Sequence, residues 1–358
     1  HGTAENAVAA VRALRRRELL RTALADLLEV SPVESVGDAL TAITAVTIEA
    51  ALRTARARVA DQHGRQPQTR LCVVAMGRFG GGELSYASDA DVMFVHEPLP
   101  GADTAAATES ADAIVRELRR LLEMPAHDPP LLLDAALRPE GRSGAMVRTL
   151  DSYAAYYRRW SSTWESQALL RAAPIAGDLE VGARFTELID PLRYPEGGVD
   201  EAQVREIRKL KARMEAERLP RGADPALHTK LGRGGLSDVE WVVQLLQLRH
   251  AHEVPGLRTT GTLESLRAAV EAGLLDSEDG TTLETAWRLA ARVRGAVMLV
   301  RGKPSDSVPK SLRDQAILAG ALGYRGDEEE GAVGRMIQDY RQATRRARAV
   351  MERVFYDD

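Results

Sequence analysis

The sequence predicts an α+β protein in which a small mixed sheet with flanking helices is followed by an α-helical bundle. Apolar runs typical of strands occur early in the chain, at residues 71–76, 92–95 and 131–137. From Asp151 onward, nearly every segment has helical periodicity. Proline and glycine interrupt this periodicity near residues 191–198, 220–235, 255–261 and 302–309. Strands followed by a long run of helices indicate segregated α and β regions.

Two long helical segments precede the first strand. Residues 4–30 are rich in alanine and leucine and end at Ser31-Pro32, and residues 37–62 form the second segment. The polar residues 63–68 then form a turn before the apolar run at 71–76. The sheet is therefore expected to have helices before it in the chain as well as after it.

The second and third strands are separated by an amphipathic helix at Thr104–Glu123. Its apolar side carries Ile114, Val115, Leu118, Leu121 and Leu122. After a loop with two prolines comes the third strand candidate at residues 131–137, which ends in a glycine-containing turn at 138–144.

The length of 358 residues is sufficient for two domains. We place the boundary in the segment 194–198, which contains proline and two glycines. This predicts a first domain of residues 1–194 and a helical bundle of residues 195–358. The chain begins at His1 without an initiator methionine, so we expect it to be a piece of a longer polypeptide.

Composition argues against several classes of function. The net charge of −4 disfavours a nucleic-acid polymerase, which needs a basic channel. No stretch approaches 18 uninterrupted apolar residues, so a membrane span is not expected. The single cysteine, Cys72, lies in an apolar strand, which predicts a buried thiol and fits a reducing, cytoplasmic compartment.

A glycine-rich turn and two aspartates connect the first two strands. The glycines occupy residues 77–82, and Asp89 and Asp91 stand at the head of the second strand, where residues two apart share a face. Neighbouring carboxylates repel, and a divalent cation between them removes the repulsion; oxygen ligands suit Mg²⁺, which in turn holds phosphates. Glycines let backbone amides approach those phosphates. The combination predicts a nucleoside-triphosphate site for phosphoryl or nucleotidyl transfer.

Asp134 lies inside the apolar third strand and is open to two interpretations. It completes the metal site or accepts a proton, because a buried carboxylate needs a cation or a partner. Alternatively, it lies on a solvated face of a half-exposed strand. Arg138 and Arg142 follow in the turn, where they can meet phosphates or remain solvated loop charges, and the residues alone favour the latter.

Three other polar groups have weaker functional interpretations. For Glu165 and Arg171, on the helix after the third strand, we expect a surface ion network rather than groups over the active cleft. For the basic, glycine-rich loop 230–235, a capping box between Ser237 and Glu240 competes with phosphate binding. The charged helix around residues 205–218 is expected to be a solvated face. No zinc spacing, dinucleotide fingerprint, P-loop or nucleophile elbow is present.

Five segments together resemble the family of bifunctional glutamine-synthetase adenylyltransferase/adenylyl-removing enzymes. They are GRFGGGEL at 77–84, SDAD at 88–91, DAALRPEGRSG at 134–144, WESQALLR at 164–171 and GGLSDVE at 234–240. The resemblance spans nearly the whole chain and implies a polymerase-beta-like nucleotidyltransferase fold. Arg78 stands where many relatives have lysine, which keeps the charge and changes its geometry.

The resemblance also implies roles for individual residues. Asp89, Asp91 and Asp134 are expected to be the catalytic residues and to hold Mg²⁺. The residues expected to bind nucleotide are Gly77, Arg78, Gly80, Gly81, Ser88 and Arg138. ATP is the implied substrate, and its AMP would pass to a tyrosine of glutamine synthetase with release of pyrophosphate.

The family has two similar halves, one that attaches AMP and one that removes it by phosphorolysis. The amino-acid sequences of residues 83–91 and of the last segment, 354–358, resemble those of the C-terminal, adenylylating half of the family. A PII-type signal protein and glutamine are the implied effectors, and neither a nucleic acid nor a membrane is expected as a partner. The alternatives are the deadenylylating half, a catalytically silent binding module, and a relative that uridylylates a signal protein.

Overall fold

The computed structural model describes residues 3–86, 88–325 and 329–357, so Asp358, the last residue of the terminal segment discussed above, lies outside it. Contacts divide the chain into two compact units. The first comprises the chain up to Thr22, Gly37–Leu84 and Ser88–Arg193. The second comprises Ala23–Val36, Ser85 and Tyr86, and the chain from Tyr194 onward. One boundary, between residues 194 and 195, was predicted from the sequence, whereas the contacts also assign the segment Ala23–Val36 to the second unit.

The first unit is built on a five-stranded mixed sheet, as predicted. Its strands are β1 (Thr69–Ala75), β2 (Ala90–Pro98), β3 (Leu133–Asp134), β4 (Val147–Thr149) and β5 (Ala173–Gly177). β1 pairs antiparallel with β2 on one side and with β5 on the other. The other edge of β2, away from β1, pairs in parallel with two strands. The start of β2 pairs with β3, and a later part of β2 pairs with β4. The start of β2 therefore has the end of β1 on one side and β3 on the other.

Among the described residues up to Arg193, seven α-helices accompany the sheet. They are α1 (Ala4–Leu27), α2 (Val33–His63), α3 (Gly77–Gly80), α4 (Thr104–Glu123), α5 (Leu150–Trp160), α6 (Thr163–Leu169) and α7 (Leu179–Arg193). The first two confirm the helical segments expected before the sheet, with ends shifted by a few residues.

Both faces of the central strands are buried, which explains why β1 is a continuous apolar run instead of alternating with polar residues. Cys72 and Val74 pack against α5 and α7 in one cluster. The alternate residues, Val73 of β1 and Phe94 of β2, are also fully buried. The apolar stripe of α4 is buried as predicted, and this helix contacts both strands.

The third strand is shorter than predicted, because polar side chains capture the backbone after its second residue. Asp134 Oδ1 accepts the amide of Ala136 at 2.8 Å, and Arg138 donates to the carbonyl of Ala135 at 2.7 Å. These local hydrogen bonds compete with strand pairing. β4 and β5 were not predicted, because they are short and β5 contains Pro174 and Gly177, which rarely occur within strands.

Helix α2 is long and apolar enough to cross a membrane by length and composition alone. This is weak evidence, because the core helix of a globular protein passes the same test and almost half of the apolar window is buried in the structure. Ile48 and Ala51 are fully buried, and the carboxylate of Glu49 accepts the amide of Gly177 at the end of β5, at 2.7 Å. These contacts fit a helix that packs within the first unit.

The second unit is helical from Tyr194 onward, as predicted. Its helices are α8 (Glu201–Arg218), α9 (Leu236–His250), α10 (Thr262–Glu271), α11 (Ser277–Arg301), α12 (Leu312–Ala321) and α13 (Glu329–Tyr356). Helix α9 is buried along most of its length and contacts α8, α10, α11 and α13. It is therefore the central helix of the bundle.

Buried ion pairs join three of these helices. Lys211 of α8 is buried and lies 2.5 Å from the carboxylate of Asp238 on α9. Arg348 of α13 lies 3.1 Å from the same carboxylate and 2.8 Å from Glu215. The expectation that the charges of α8 form only a solvated face is therefore wrong for Lys211, because a buried carboxylate neutralises it.

His96 of β2 is buried and held between two hydroxyl groups. Its Nδ1 lies 3.1 Å from the hydroxyl of Thr69, and its Nε2 lies 3.3 Å from the hydroxyl of Thr108. Burial lowers the pKa of His96 to about 4. The imidazole is therefore neutral in the folded protein at pH 5, where an exposed histidine of the unfolded chain, with a pKa of about 6.5, is charged.

We predict that this histidine makes the protein less stable as the pH falls from 7 to 5. In this range the unfolded chain binds a proton that the folded chain does not, so the free energy of unfolding decreases by roughly 2 kcal/mol on account of His96. His96→Gln keeps groups that can hydrogen-bond both threonines and should lose this part of the pH dependence. Urea unfolding at pH 7 and at pH 5 measures the free energy of unfolding of both proteins. An equal decrease in the wild-type chain and in His96→Gln would contradict the assignment of this pH dependence to His96.

Candidate active site

The glycine turn lies directly beside the start of β2. The amide of Met76 donates to the carbonyl of Asp91 at 2.8 Å, and the chain then turns through the short helix α3. The antiparallel register pairs Ala75 with Val92, so this hydrogen bond continues the ladder by one step. The turn and Asp91 are thus joined by the backbone and not only by side chains.

Two glycines of the turn are required by close packing. Gly77 has a φ of +55°, and a Cβ at this position would lie 2.8 Å from Oδ2 of Asp91. A Cβ at Gly80 would overlap the carbonyl oxygen of Arg171. Any side chain at position 77 would therefore displace the Asp91 carboxylate, and any at position 80 would push the turn away from the chain after α6.

A buried ion pair stabilises the glycine turn. Arg171 donates to Glu83 at 2.6 Å, and both side chains are less than one-tenth exposed. The carbonyl of Glu83 accepts Nε of Arg78 at 2.9 Å. The expected surface ion network is therefore wrong for Arg171, because the pair is enclosed. Glu83 lies 88 residues away in the chain, and no local pattern pointed to it as the partner. For Arg78, contact with nucleotide stays a prediction.

Strand register brings two of the predicted carboxylates together. β2 and β3 run parallel, with Asp91 directly opposite Asp134 and Ala90 opposite Leu133. Opposite residues on neighbouring strands lie roughly 4.8 Å apart and share a face. Asp89 precedes β2 by one residue and is exposed, and Ser88 is half-buried. Of the two interpretations of Asp134, the register favours the one that groups it with Asp91.

The oxygen ligands fit Mg²⁺, although they do not form a closed cage. Among the residues that the structure describes, no three His, Cys, Asp or Glu side chains form a ready-made metal-binding group. Mg²⁺ is commonly held by one or two carboxylates together with substrate phosphates, so two adjacent aspartates suffice. The assignment of Asp89, Asp91 and Asp134 as ligands stays a prediction.

Arg138 organises the loop that follows β3. Its buried guanidinium donates to the carbonyls of Ala135, Arg142 and Gly144 at 2.7, 3.0 and 3.1 Å. These bonds favour a structural role over direct contact with nucleotide, which stays a prediction. The side chain of Arg142 is exposed on the same loop.

A polar cluster connects this loop to α5 and α6. Glu165 caps α6 by accepting the amide of Ser162, and its other oxygen accepts the hydroxyl of Tyr156 at 2.9 Å. The guanidinium of Arg148 lies 5.6 Å from the centre of the Tyr156 ring and pairs with Glu140 of the loop. Burial raises the pKa of Tyr156, which keeps its phenol neutral.

In the helical unit, the glycine-rich loop 230–235 closes on itself. Helix α9 is capped by Gly235, so the expected capping box from Ser237 to Glu240 is absent, since Ser237 already lies inside the helix. The amides of Leu236 and Ser237 donate to the carbonyls of Thr229 and Lys230. Because these amides are used within the loop, the geometry disfavours a phosphate at this helix start.

We predict that Gly77→Ala weakens binding of Mg²⁺ and ATP far more than it weakens the fold. Gly101→Ala is the matched control, because Gly101 also has a positive φ, +78°, but open space around its Cβ. Both variants should lose about 1 kcal/mol of stability from backbone strain. Only Gly77→Ala should also reduce nucleotide affinity, measured by calorimetric titration, since it alone displaces Asp91. Equal affinities would show that the Gly77–Asp91 contact is not part of the site.

Comparison with known proteins gives two family matches. Residues 1–188 match the family model of glutamate-ammonia ligase adenylyltransferase. Residues 205–355 match that of GlnD PII-uridylyltransferase. The first match covers the whole sheet and the carboxylates described above, and the second lies within the helical unit.

Curated relatives are named bifunctional glutamine synthetase adenylyltransferase/adenylyl-removing enzyme. Those of Streptomyces avermitilis and Streptomyces coelicolor are 58% and 57% identical to this chain over 99% of its length. That of Mycobacterium tuberculosis is 52% identical over 98%. The chain spans only 36% of each Streptomyces relative and 35% of the Mycobacterium one, about a third of their length. Because the first family model matches more than half of the chain, the chain belongs to the glutamate-ammonia ligase adenylyltransferase family.

Proposed function

We propose that this chain transfers AMP from ATP to a tyrosine of glutamine synthetase and releases pyrophosphate, thereby regulating nitrogen assimilation. One observation carries the proposal: Asp91 has Asp134 opposite it on β3, and its carboxylate occupies the space that a side chain at Gly77 would need. This places two acidic groups at the rim of a glycine turn, the chemistry expected of a nucleotidyltransferase. The names of the relatives support the identity of the acceptor protein.

Mg²⁺ is the metal that these oxygens suit, with Asp89, Asp91 and Asp134 as the residues that would hold it. When bound, it would neutralise charge on the triphosphate and on the departing pyrophosphate. The glycine turn leaves room for phosphate oxygens that a side chain would exclude. The Arg171–Glu83 pair fixes the turn in place before substrate arrives.

We propose that Asp134 accepts the proton of the acceptor tyrosine. Its Oδ1 is fixed by the Ala136 amide, while Oδ2 has no hydrogen bond to another described residue. In the proposed step, the phenol oxygen forms a bond to the α-phosphorus and its proton passes to Asp134. The bond between the α-phosphorus and the bridging oxygen breaks, and pyrophosphate leaves with that electron pair.

The same site run in the removing direction is the second candidate. Phosphate would then be the nucleophile, and an anion needs cationic groups where the tyrosine otherwise enters. Arg171 and Arg142 are the residues considered for that task. Arg171 is buried and paired with Glu83, which leaves Arg142 as an exposed cation on the Asp134 loop. Neutralisation of Arg171 supports the adenylylating direction.

Regulation by effectors is a further part of the proposal. The match of residues 205–355 to the PII-uridylyltransferase model supports a helical unit that responds to a PII-type signal protein, and glutamine is the other candidate effector. We also propose that the reaction takes place in the cytoplasm.

Incubation of the chain with unmodified glutamine synthetase, labelled ATP and Mg²⁺ should give protein-bound AMP and pyrophosphate. Chelation of Mg²⁺ should abolish the transfer, because the paired carboxylates would then repel the triphosphate. The opposite pairing, adenylylated glutamine synthetase with phosphate, serves as the control. If only the control reaction proceeds, with ADP as its product, the chain is the removing half and the proposed direction is wrong.

A further inference from the structure

Two tryptophans stand on the surface where α5 meets α6. Trp160 is 61% exposed and Trp164 is 40% exposed, whereas Trp241 and Trp287 are buried. The preceding residues, Arg158 and Arg159, are exposed as well. We call Arg158, Arg159, Trp160 and Trp164 the Trp-Arg patch. Large apolar side chains on a folded surface gain free energy when a partner removes them from water, and such patches mark interaction sites.

The two arginines of this patch form no ion pair within the described part of the first unit. Arg158 forms no hydrogen bond or ion pair with another residue in the described part of the chain. The guanidinium of Arg159 lies 4.9 Å from the centre of the Trp160 ring, which is its one contact of note. A chain with a net charge of −4 thus presents a local cluster of positive charge next to aromatic surface. This combination suits a partner with acidic and apolar side chains.

The patch stands on well-fixed backbone. Trp160 is the last residue of α5, and Trp164 lies in the first turn of α6. Between them, Ser162 and Glu165 form a capping box that fixes the start of α6. The two indoles are therefore presented by helix ends of defined geometry, so binding would cost little ordering of the backbone.

Contacts connect the patch to both sides of the candidate active site. Glu165, next to Trp164, accepts the hydroxyl of Tyr156, whose ring lies beside Arg148 and thus beside the Glu140 loop that follows Asp134. In the other direction, α6 leads to Arg171, which pairs with Glu83 at the glycine turn. Seven residues at helical rise separate Trp164 from Arg171, roughly 10 Å. An extended segment of three or four residues spans about that distance.

We propose that the Trp-Arg patch docks the acceptor protein, by binding an acidic and apolar surface segment of glutamine synthetase that carries the target tyrosine. This inference rests on the proposed function and adds the surface that selects the substrate. The indoles supply the apolar contact, and the arginines supply charge complementarity. In this arrangement the tyrosine would extend past Arg171 toward the glycine turn while its flanking residues stay on the patch.

Steady-state kinetics of the double variants Trp160→Ala/Trp164→Ala and Arg158→Ser/Arg159→Ser tests the docking surface. Interface tryptophans and arginines commonly contribute more than about 1.4 kcal/mol each, so KM for glutamine synthetase should rise about tenfold or more in each variant. KM for ATP should stay unchanged, because the patch does not touch the nucleotide. Leu179→Ala, which removes another exposed apolar side chain (64% exposed) of the same unit, is the matched control and should change neither constant.

Acrylamide quenching of the wild-type chain gives a second measurement that needs no variant. Since the other two tryptophans are buried, quenching reports on Trp160 and Trp164, and unmodified glutamine synthetase should protect them. An unchanged KM for glutamine synthetase in both variants, or no protection from quenching, would overturn the docking assignment. An equal rise in both KM values would also overturn it, by showing a general structural role. Absence of AMP transfer by the wild-type chain would instead refute the proposed function, and quenching would still test the patch.

Discussion

The pairing of Asp91 with Asp134 is the constraint on which the candidate site depends. Two like charges on adjacent strands are unfavourable unless something neutralises them, and every neighbouring element holds them in place. Gly77 leaves no room for a side chain beside Asp91, and Arg171 and Glu83 lock the turn that contains Gly77. The turn and the strand register thus hold two carboxylates at one edge of the sheet, where a bound cation would neutralise both.

The helical unit and the sheet unit use their buried charges differently. In the bundle, Lys211, Asp238, Glu215 and Arg348 neutralise one another, so their charges are satisfied without a ligand. The glycine-rich loop beside them likewise uses its amides internally. In the sheet unit, Asp134 accepts the amide of Ala136 with one carboxylate oxygen and lies opposite a second aspartate, Asp91 of β2. We therefore expect a cation to bind beside the sheet carboxylates and none to bind at the charge cluster of the bundle.

Much of the fold could be predicted from the sequence, because long helices and buried strands carry clear periodicity. β1, β2, α4 and the helical second unit follow from that signal. β4 and β5 could not be predicted from periodicity, since strands this short are defined by the strands they pair with and not by their own residues. In the site, spacing identified Asp89 and Asp91, but the Asp134 register and the Arg171–Glu83 pair are long-range facts. Only the family resemblance implied that Arg138 binds nucleotide, because a loop arginine looks the same in sequence whether it binds a ligand, solvent or its own backbone.

The most direct test of the account is the rate of AMP transfer at saturating Mg²⁺ in Asp91→Asn and Asp134→Asn, with thermal unfolding measured alongside. Asp151→Asn, at an exposed position in the first turn of α5, is the control. Both site variants should lose on the order of 10² or more in rate, while their unfolding temperatures stay near that of the wild-type chain, because asparagine keeps the size of the side chain. A wild-type rate in Asp134→Asn, with the fold intact, would contradict the claim that Asp91 and Asp134 form one site.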